Sequence, residues 1–340
     1  MPSGTTELPN ARDFTWHDGG RVVRFGRGAL AGAPETLEAR GWERFELLTT
    51  ERALAGAPVG LAEAAATVHQ VPPGKVAEIS ADLLDAVMTP TLVALGGGRV
   101  IDTAKAIAAV RGGRVAAIPT TLSGAEMTGI HRLPEGHSAP HLVRPALVIA
   151  DPEPMTALPE GSLRATAMNA LAHGADALFG PVANPFSALA ALHGAELMAG
   201  ALDLPEAERD RTRLALGSLF CAHALDGAGL SLHHAVCQEL VRGLGLPHAE
   251  TNATMLPHTM GAMLPREPAA IEALAAALGA DPATLEARLT ELGGGPRRLG
   301  ELGGDRSRLD AALDTVHARI SAMRDPLTRE ELAELVEAAW

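Results

Sequence analysis

Residues 91–95 are an unbroken, mostly apolar run (Thr, Leu, Val, Ala, Leu) that leads straight into Gly96, Gly97 and Gly98. A stretch with Ile101, Ala104 and Ala108 on one helical face follows. A buried strand that becomes a helix through glycines is the heart of a βαβ unit. Glycines lack Cβ atoms, so their N–H groups can approach a ligand closely. The helix N-terminus adds partial positive charge, and together they make a seat for a pyrophosphate. Read alone, the glycines serve equally well as a tight βα turn, and they do not form GxGxxG.

The rest of the first half repeats the unit. Strands are expected at 21–25, 45–49, 67–71, 115–118 and 146–150, with helices at 29–40 and 75–87. After Asp151 no strand pattern remains. Ala/Leu-rich helical stretches take over at 162–179, 185–200, 205–225 and 232–243, with glycine-marked loops at 293–296 and 303–304. The expected architecture is an α/β dinucleotide-binding domain, residues 1–154, followed by an all-α domain, 155–340. The break falls at Asp-Pro-Glu-Pro, 151–154, where two prolines discourage a continuing element. A chain of 340 residues suits two domains.

Composition narrows the partners. The formal charge of −13 argues against nucleic acid and anionic membrane, while a local Arg cluster still permits a small anionic substrate. Cys221 and Cys237 are the only cysteines, as expected of reduced thiols in the cytoplasm. No apolar stretch reaches the ~20 residues of a membrane span. The first 20 residues are polar, lack a signal-peptide core and read as a loose lead-in. Aromatics are 3% with no Tyr, so the cores must be built from Ala, Leu, Val and Met. A homodimer is the expected assembly.

Two groups of residues carry candidate chemistry. Around the glycine loop stand Arg99, Asp102 and Lys105, with Thr120 and Thr121 ending the next strand. Hydroxyls at a strand's C-terminal end lie where α/β sheets bind ligands. The second strand ends in Thr49 and Thr50, where many NAD enzymes hold the ribose with a carboxylate. Without that charge a 2′-phosphate is tolerated, so NADPH is expected to bind at least as well as NADH. In the second half, Asn169 and His173 share one helix face, and His233, His234, His248 and His258 follow. Histidines from several helices can converge on a metal; taken singly, each reads as an ordinary core or surface histidine.

These motifs together resemble the iron-containing alcohol dehydrogenase family. Gly96, Gly97, Gly98, Asp102 and Lys105 resemble its GGGSxxDxAK segment. The sequence PTTLSGAEMT at 119–128 resembles its PTTxxxSEMT, and Asp151-Pro-Glu its interdomain DPE. MNALAH at 168–173, LPHAET at 246–251, and the closing LTREEL with AAW look like the maleylacetate reductase branch. The resemblance implies the dehydroquinate synthase-like fold, a nicotinamide cofactor (NADH or NADPH) and an active site in the cleft between two domains. It also implies oxidoreductase chemistry on CH-OH/C=O or CH-CH groups. The family's metal ligands fall on Asn169, His173, His234 and His248. The branch reduces a 4-oxo-hexenedioate and also carries Asn at the first position.

Three positions depart from the pattern: Arg99 and Ala125 replace Ser, and Gln238 replaces the second His of an HxxxH pair that begins at His234. Asn169 removes a carboxylate, so iron affinity should fall, and zinc or iron is expected to be weakly held or absent. Gln238 faces the substrate in this reading but carries no proton, so His258 and His131 are the candidate donors. Arg99 or Arg132 can pair with a substrate carboxylate. Alternatives are a non-redox enzyme on the same fold, of the cyclising dehydroquinate synthase kind, or an inactive binding subunit.

Overall fold

The computed structural model describes residues 12–340 and divides into two compact units. One comprises 12–121 with Ala125–Ala157; the other comprises Leu122–Gly124 with Leu158–Trp340. The first is an α/β sheet unit and the second is helical, as the alternation and its abrupt end led us to expect.

The sheet has seven strands: β1 Asp13–Asp18, β2 Arg21–Gly26, β3 Glu46–Thr49, β4 Thr67–Gln70, β5 Thr91–Gly96, β6 Arg114–Pro119 and β7 Leu147–Ala150. Their order is β1-β2-β7-β6-β5-β3-β4, and every pair except β1–β2 is parallel. Parallel strands bury both faces, which explains their nearly continuous apolar sequences. Leu47, Val93, Leu95, Ile118 and Ile149 pack on one side. Leu48, Leu92, Ala94 and Val115 pack on the other, against Ile101, Ala104 and Ala108. The chain moves outward from β3 to β4, returns to β5, and proceeds through β6 to β7. The direction therefore reverses between β3 and β5, and that switch point is where such sheets bind ligands.

The expected lead-in is corrected in part. Residues 1–11 lie outside the described residues, but β1 forms an antiparallel hairpin with β2 across Gly19, whose φ is +58°. Its Asp-Phe-Thr-Trp-His-Asp sequence is too polar to read as a core strand. It is an edge strand, secured by Arg24 on Asp13 and Arg21 on Asp18, both 2.6 Å.

The helical unit is built mainly on helices Glu160–Ala177, Pro185–Leu202, Arg211–Ala228, Leu232–Leu244 and His248–Met263. The expected helix at 205–225 starts later. Glu206–Glu208 is a single 3₁₀ turn, and Asp210 caps the helix proper by accepting from Arg213 N at 3.0 Å. The scarcity of aromatics has a packing consequence: with few large side chains to fill gaps, the helices approach closely. A Cβ on Gly174 or Gly194 would lie 2.8 or 2.7 Å from Cys221 Sγ, so both positions require glycine or a shift. Among the described residues no single helix is long and apolar enough to cross a membrane.

Candidate active site

The glycine loop sits at the switch point. Gly96 ends β5 opposite Pro119, and Leu95 lies opposite Thr49. A Cβ on Gly96 would meet Val100 Cγ2 at 2.6 Å, and one on Gly97 would meet Thr121 Cγ2 at 3.0 Å. The loop therefore packs tightly, and a side chain would fill the space beside Thr121. Gly97 caps the Gly98–Arg111 helix without a side-chain bond, so the first-turn amides of Gly98 and Arg99 lack an intrahelical acceptor. Gly97, Gly98 and Thr121 are half-buried, Arg99 is exposed, and Thr120 is nearly buried. This cradle fits a pyrophosphate.

Other candidates near the loop have structural partners. Thr49 is fully buried, its hydroxyl 3.4 Å from the Thr50 carbonyl, and does not present itself to a ligand. Thr50 caps the next helix by accepting from Ala53 N. Asp102 accepts from Lys105 Nζ at 2.8 Å, and the buried Lys105 also donates to the carbonyls of Ala125 (3.0 Å) and Ile130 (2.8 Å). The Asp-x-x-Lys pair thus pins the 125–130 segment, so Asp102 is a brace where a cofactor contact was expected. Glu126, on that segment, is fully buried and neither carboxylate oxygen has a hydrogen-bond partner. Burial pushes its carboxyl up to about 7, against the smaller opposing pulls of its own backbone N–H and then of Lys105.

In the helical unit, His173 and His234 stack with ring centroids 5.0 Å apart and 21° between planes. His173 and Asn169, one turn earlier, lie on Glu160–Ala177, and His234 lies in the first turn of Leu232–Leu244. One residue organises this centre. Asp176 Oδ2 accepts from Ser231 N (2.9 Å), His234 N (3.1 Å) and His234 Nδ1 (2.8 Å), while Oδ1 accepts from His233 N (3.1 Å). It satisfies the helix N-terminus and fixes the His234 ring in one stroke. Burial alone would raise the Asp176 pKa, but the His234 bond and charge hold it below the usual range. His173 is driven well below its usual value, by burial first and then by His234, His248 and His233. Three buried polar atoms here lack a hydrogen-bond partner: Asn169 Oδ1, His173 Nδ1 and His234 Nε2. Gly124, with φ +73°, closes this centre; a Cβ there would lie 2.9 Å from His173 Nδ1.

The remaining candidates have partners or surroundings of their own. His233 bonds Thr259 (2.8 Å) and Asn252 (2.9 Å), a buried core histidine pushed down to about 3, chiefly by burial. His258 lines a separate cavity of about 200 Å³ with Thr254, Thr290, Arg297 and Arg298. His131 accepts from Val143 N at Nε2 and donates from Nδ1 to the Arg132 carbonyl, both 2.9 Å. Both ring nitrogens are engaged in closing a loop, which corrects its role as a proton donor. Arg132 is exposed. Gln238 does not keep its amide oxygen for a ligand, because Oε1 accepts from Arg319 Nη2 at 2.9 Å.

The expected metal ligands do not make an iron site. His248 stands exposed at the first position of its helix, and its charge helps lower the His173 pKa. Among the described residues no three His, Cys, Asp or Glu side chains are arranged to hold a metal. The nearest carboxylate, Asp176, is fully engaged with the helix terminus and His234. An amide oxygen and two imidazoles remain, a neutral set poorly suited to a hard dication.

Sequence and structure comparisons agree on one family. An iron-containing alcohol dehydrogenase model matches residues 21–152, and the C-terminal model of the same family matches 164–340. The chain is 32% identical to maleylacetate reductase 1 of Rhodococcus opacus, over 94% of each chain. It is 31% identical to the maleylacetate reductase of Rhizobium sp. strain MTP-10005, over 94% of this chain and 95% of the relative. The crystal structure of maleylacetate reductase from that Rhizobium strain superposes with a TM-score of 0.83 at 28% identity, covering 96% of this chain and 98% of that one. An iron-containing alcohol dehydrogenase from Corynebacterium glutamicum superposes with a TM-score of 0.81 at 30% identity, over 93% and 94%.

Proposed function

The chain belongs to the iron-containing alcohol dehydrogenase family, whose members are oxidoreductases, and from that premise we propose that it is a nicotinamide-dependent reductase of a small oxo-acid of the maleylacetate class. The observation that carries the reading is the trio of buried, unpartnered atoms Asn169 Oδ1, His173 Nδ1 and His234 Nε2. Buried polar atoms are almost always partnered, so such a group calls for a polar ligand. When bound, NADH or NADPH supplies a hydride to the electron-poor carbon of a carbonyl or of an alkene conjugated with it. In either case negative charge gathers on the carbonyl oxygen.

His234 is the residue that meets this oxygen. Asp176 fixes Nδ1 and leaves Nε2 to the substrate; in its protonated form Nε2–H donates to the oxygen and releases the proton as charge builds. His173, held neutral by burial, stacks behind it and adds a dipole without competing charge. The loop amides at Gly98 and Arg99, with Thr121 beside them, seat the pyrophosphate. The amide oxygen and two imidazoles do not suit iron, and the charge that builds on the oxygen is met by His234. The reading places the enzyme in the cytoplasm as a homodimer, a state that light scattering would check. The test is incubation of the protein with NADPH and maleylacetate, followed by mass spectrometry of the product. Gain of two hydrogens per nicotinamide oxidised supports the reading. Tight nicotinamide binding with rearranged but unreduced product transfers support to the non-redox alternative, which Gln238 first suggested.

A further inference from the structure

We propose that Arg319 is the substrate's carboxylate anchor and that Gln238 is the residue that positions it; the inference rests on the oxo-acid reductase reading above. His234 and Gln238 stand one turn apart on Leu232–Leu244, on the same side of the helix. From Leu309–Ile320, Arg319 donates through Nη2 to Gln238 Oε1 at 2.9 Å. Its Nη1 lies 3.4 Å from Glu239 Oε1, a loose contact. Glu239 is also the partner of Arg242 and is itself buried. Two guanidinium groups thus share one carboxylate, and the cluster keeps one net positive charge in a chain of formal charge −13. The acids on the Arg319 helix do not cancel it, because Asp310 and Asp314 are both held by Arg329. The Arg319 side chain is 35% exposed, open to a ligand on one side.

The substitution at Gln238 is consistent with this role. An amide oxygen accepts from a guanidinium at any pH and carries no charge. An imidazole at the same place would, when protonated, repel Arg319. Gln238 therefore orients the fork without neutralising it, and the N–H groups left over suit a bidentate carboxylate. One helical turn, roughly 5 Å, separates His234 from Gln238 along the axis. The anchor looked for at Arg99 or Arg132 is therefore assigned to the helical unit.

The test uses the full chain and compares the parent with Arg319→Gln, Arg319→Lys and Gln238→Glu. Steady-state reduction is measured with maleylacetate and with its dimethyl ester. Arg319→Gln should raise KM for maleylacetate about 10- to 100-fold, with kcat changed only a few-fold. KM for NADPH and for the ester should be unchanged. Arg319→Lys should restore part of the loss, and Gln238→Glu, which adds a competing carboxylate, should reproduce it. An unchanged KM in folded Arg319→Gln and Gln238→Glu overturns the proposal. If the parent reduces no oxo-acid, the reductase reading fails by itself, and calorimetric titration with adipate judges the anchor. Binding by the parent that is lost in Arg319→Gln supports the anchor; equal binding, or none by either, overturns it.

Discussion

Replacing Asp176 with Asn changes one atom and tests how the histidine centre is held. The carboxylate accepts four hydrogen bonds, from Ser231 N, His233 N, His234 N and His234 Nδ1. An amide of the same shape can turn its oxygen toward Ser231 N, His234 N and His234 Nδ1, which leaves its NH₂ facing the His233 N donor. Each charge-assisted bond contributes about 1.5–3 kcal/mol and a neutral one about 1, so three bonds weaken and one is lost, partly offset by no longer burying a charge. A net cost of about 3–5 kcal/mol follows, the usual range for breaking a buried pair. At about 2–4 °C per kcal/mol for a unit of this size, the melting temperature should fall by roughly 10 °C. The sign with pH is also fixed. Asp176 has a lowered pKa in the folded state, so its stabilisation is present above the unfolded carboxyl value and disappears as pH falls through the folded one. The gap between parent and variant should therefore be full at pH 7 and shrink toward pH 4 and below. Circular-dichroism melts from about pH 2 to pH 8 measure it, and a variant melting within about 2 °C of the parent at pH 7 would be the contrary result. Turnover should fall at the same time by about a hundredfold, because His234 loses its orienting partner.

Other outcomes follow from the same structure. Glu126, whose pKa is raised to about 7 by burial, binds its proton more tightly folded than unfolded. The parent should therefore lose about 3 kcal/mol relative to Glu126→Gln as pH rises from the unfolded carboxyl range to 7 and level off above; parallel pH–stability curves would disprove this. Gly124→Ala combines φ +73° with a Cβ 2.7 Å from Ala222 Cβ and 2.9 Å from His173 Nδ1. It should destabilise by about 2–4 kcal/mol and raise KM for the oxo-acid, and a melt equal to the parent's counts against the geometry. No carboxylate replaces Thr50 at the end of β3, so fluorescence titration should show NADPH binding at least as tightly as NADH; a tenfold preference for NADH, about 1.4 kcal/mol, is the contrary result.

What could be read in advance followed the physics of each signal. Strands β5, β6 and β7 were legible because both faces of a parallel sheet are apolar, and the glycine loop because a close turn needs glycine. Strand β1 escaped because a solvated edge strand alternates polar residues and buries little. The histidine pair was legible from helical spacing within Asn169 and His173, and its partner His234 only through family resemblance. Asp176 was not legible: its role depends on a terminus that begins 55 residues later. The same holds for Arg319, 81 residues from Gln238. The side chain expected to face the substrate serves to aim another. Asp102 and Lys105 were noticed, but sequence alone could not separate a ligand contact from a brace.

The most direct test of the account is nicotinamide oxidation by chelator-treated protein, with metal content measured on the same sample. NADPH-dependent reduction of maleylacetate should persist when bound iron and zinc fall far below one equivalent. Activity that vanishes with the metal and returns with one tight equivalent of iron would contradict it, as would saturable nicotinamide binding without reduction of any oxo-acid.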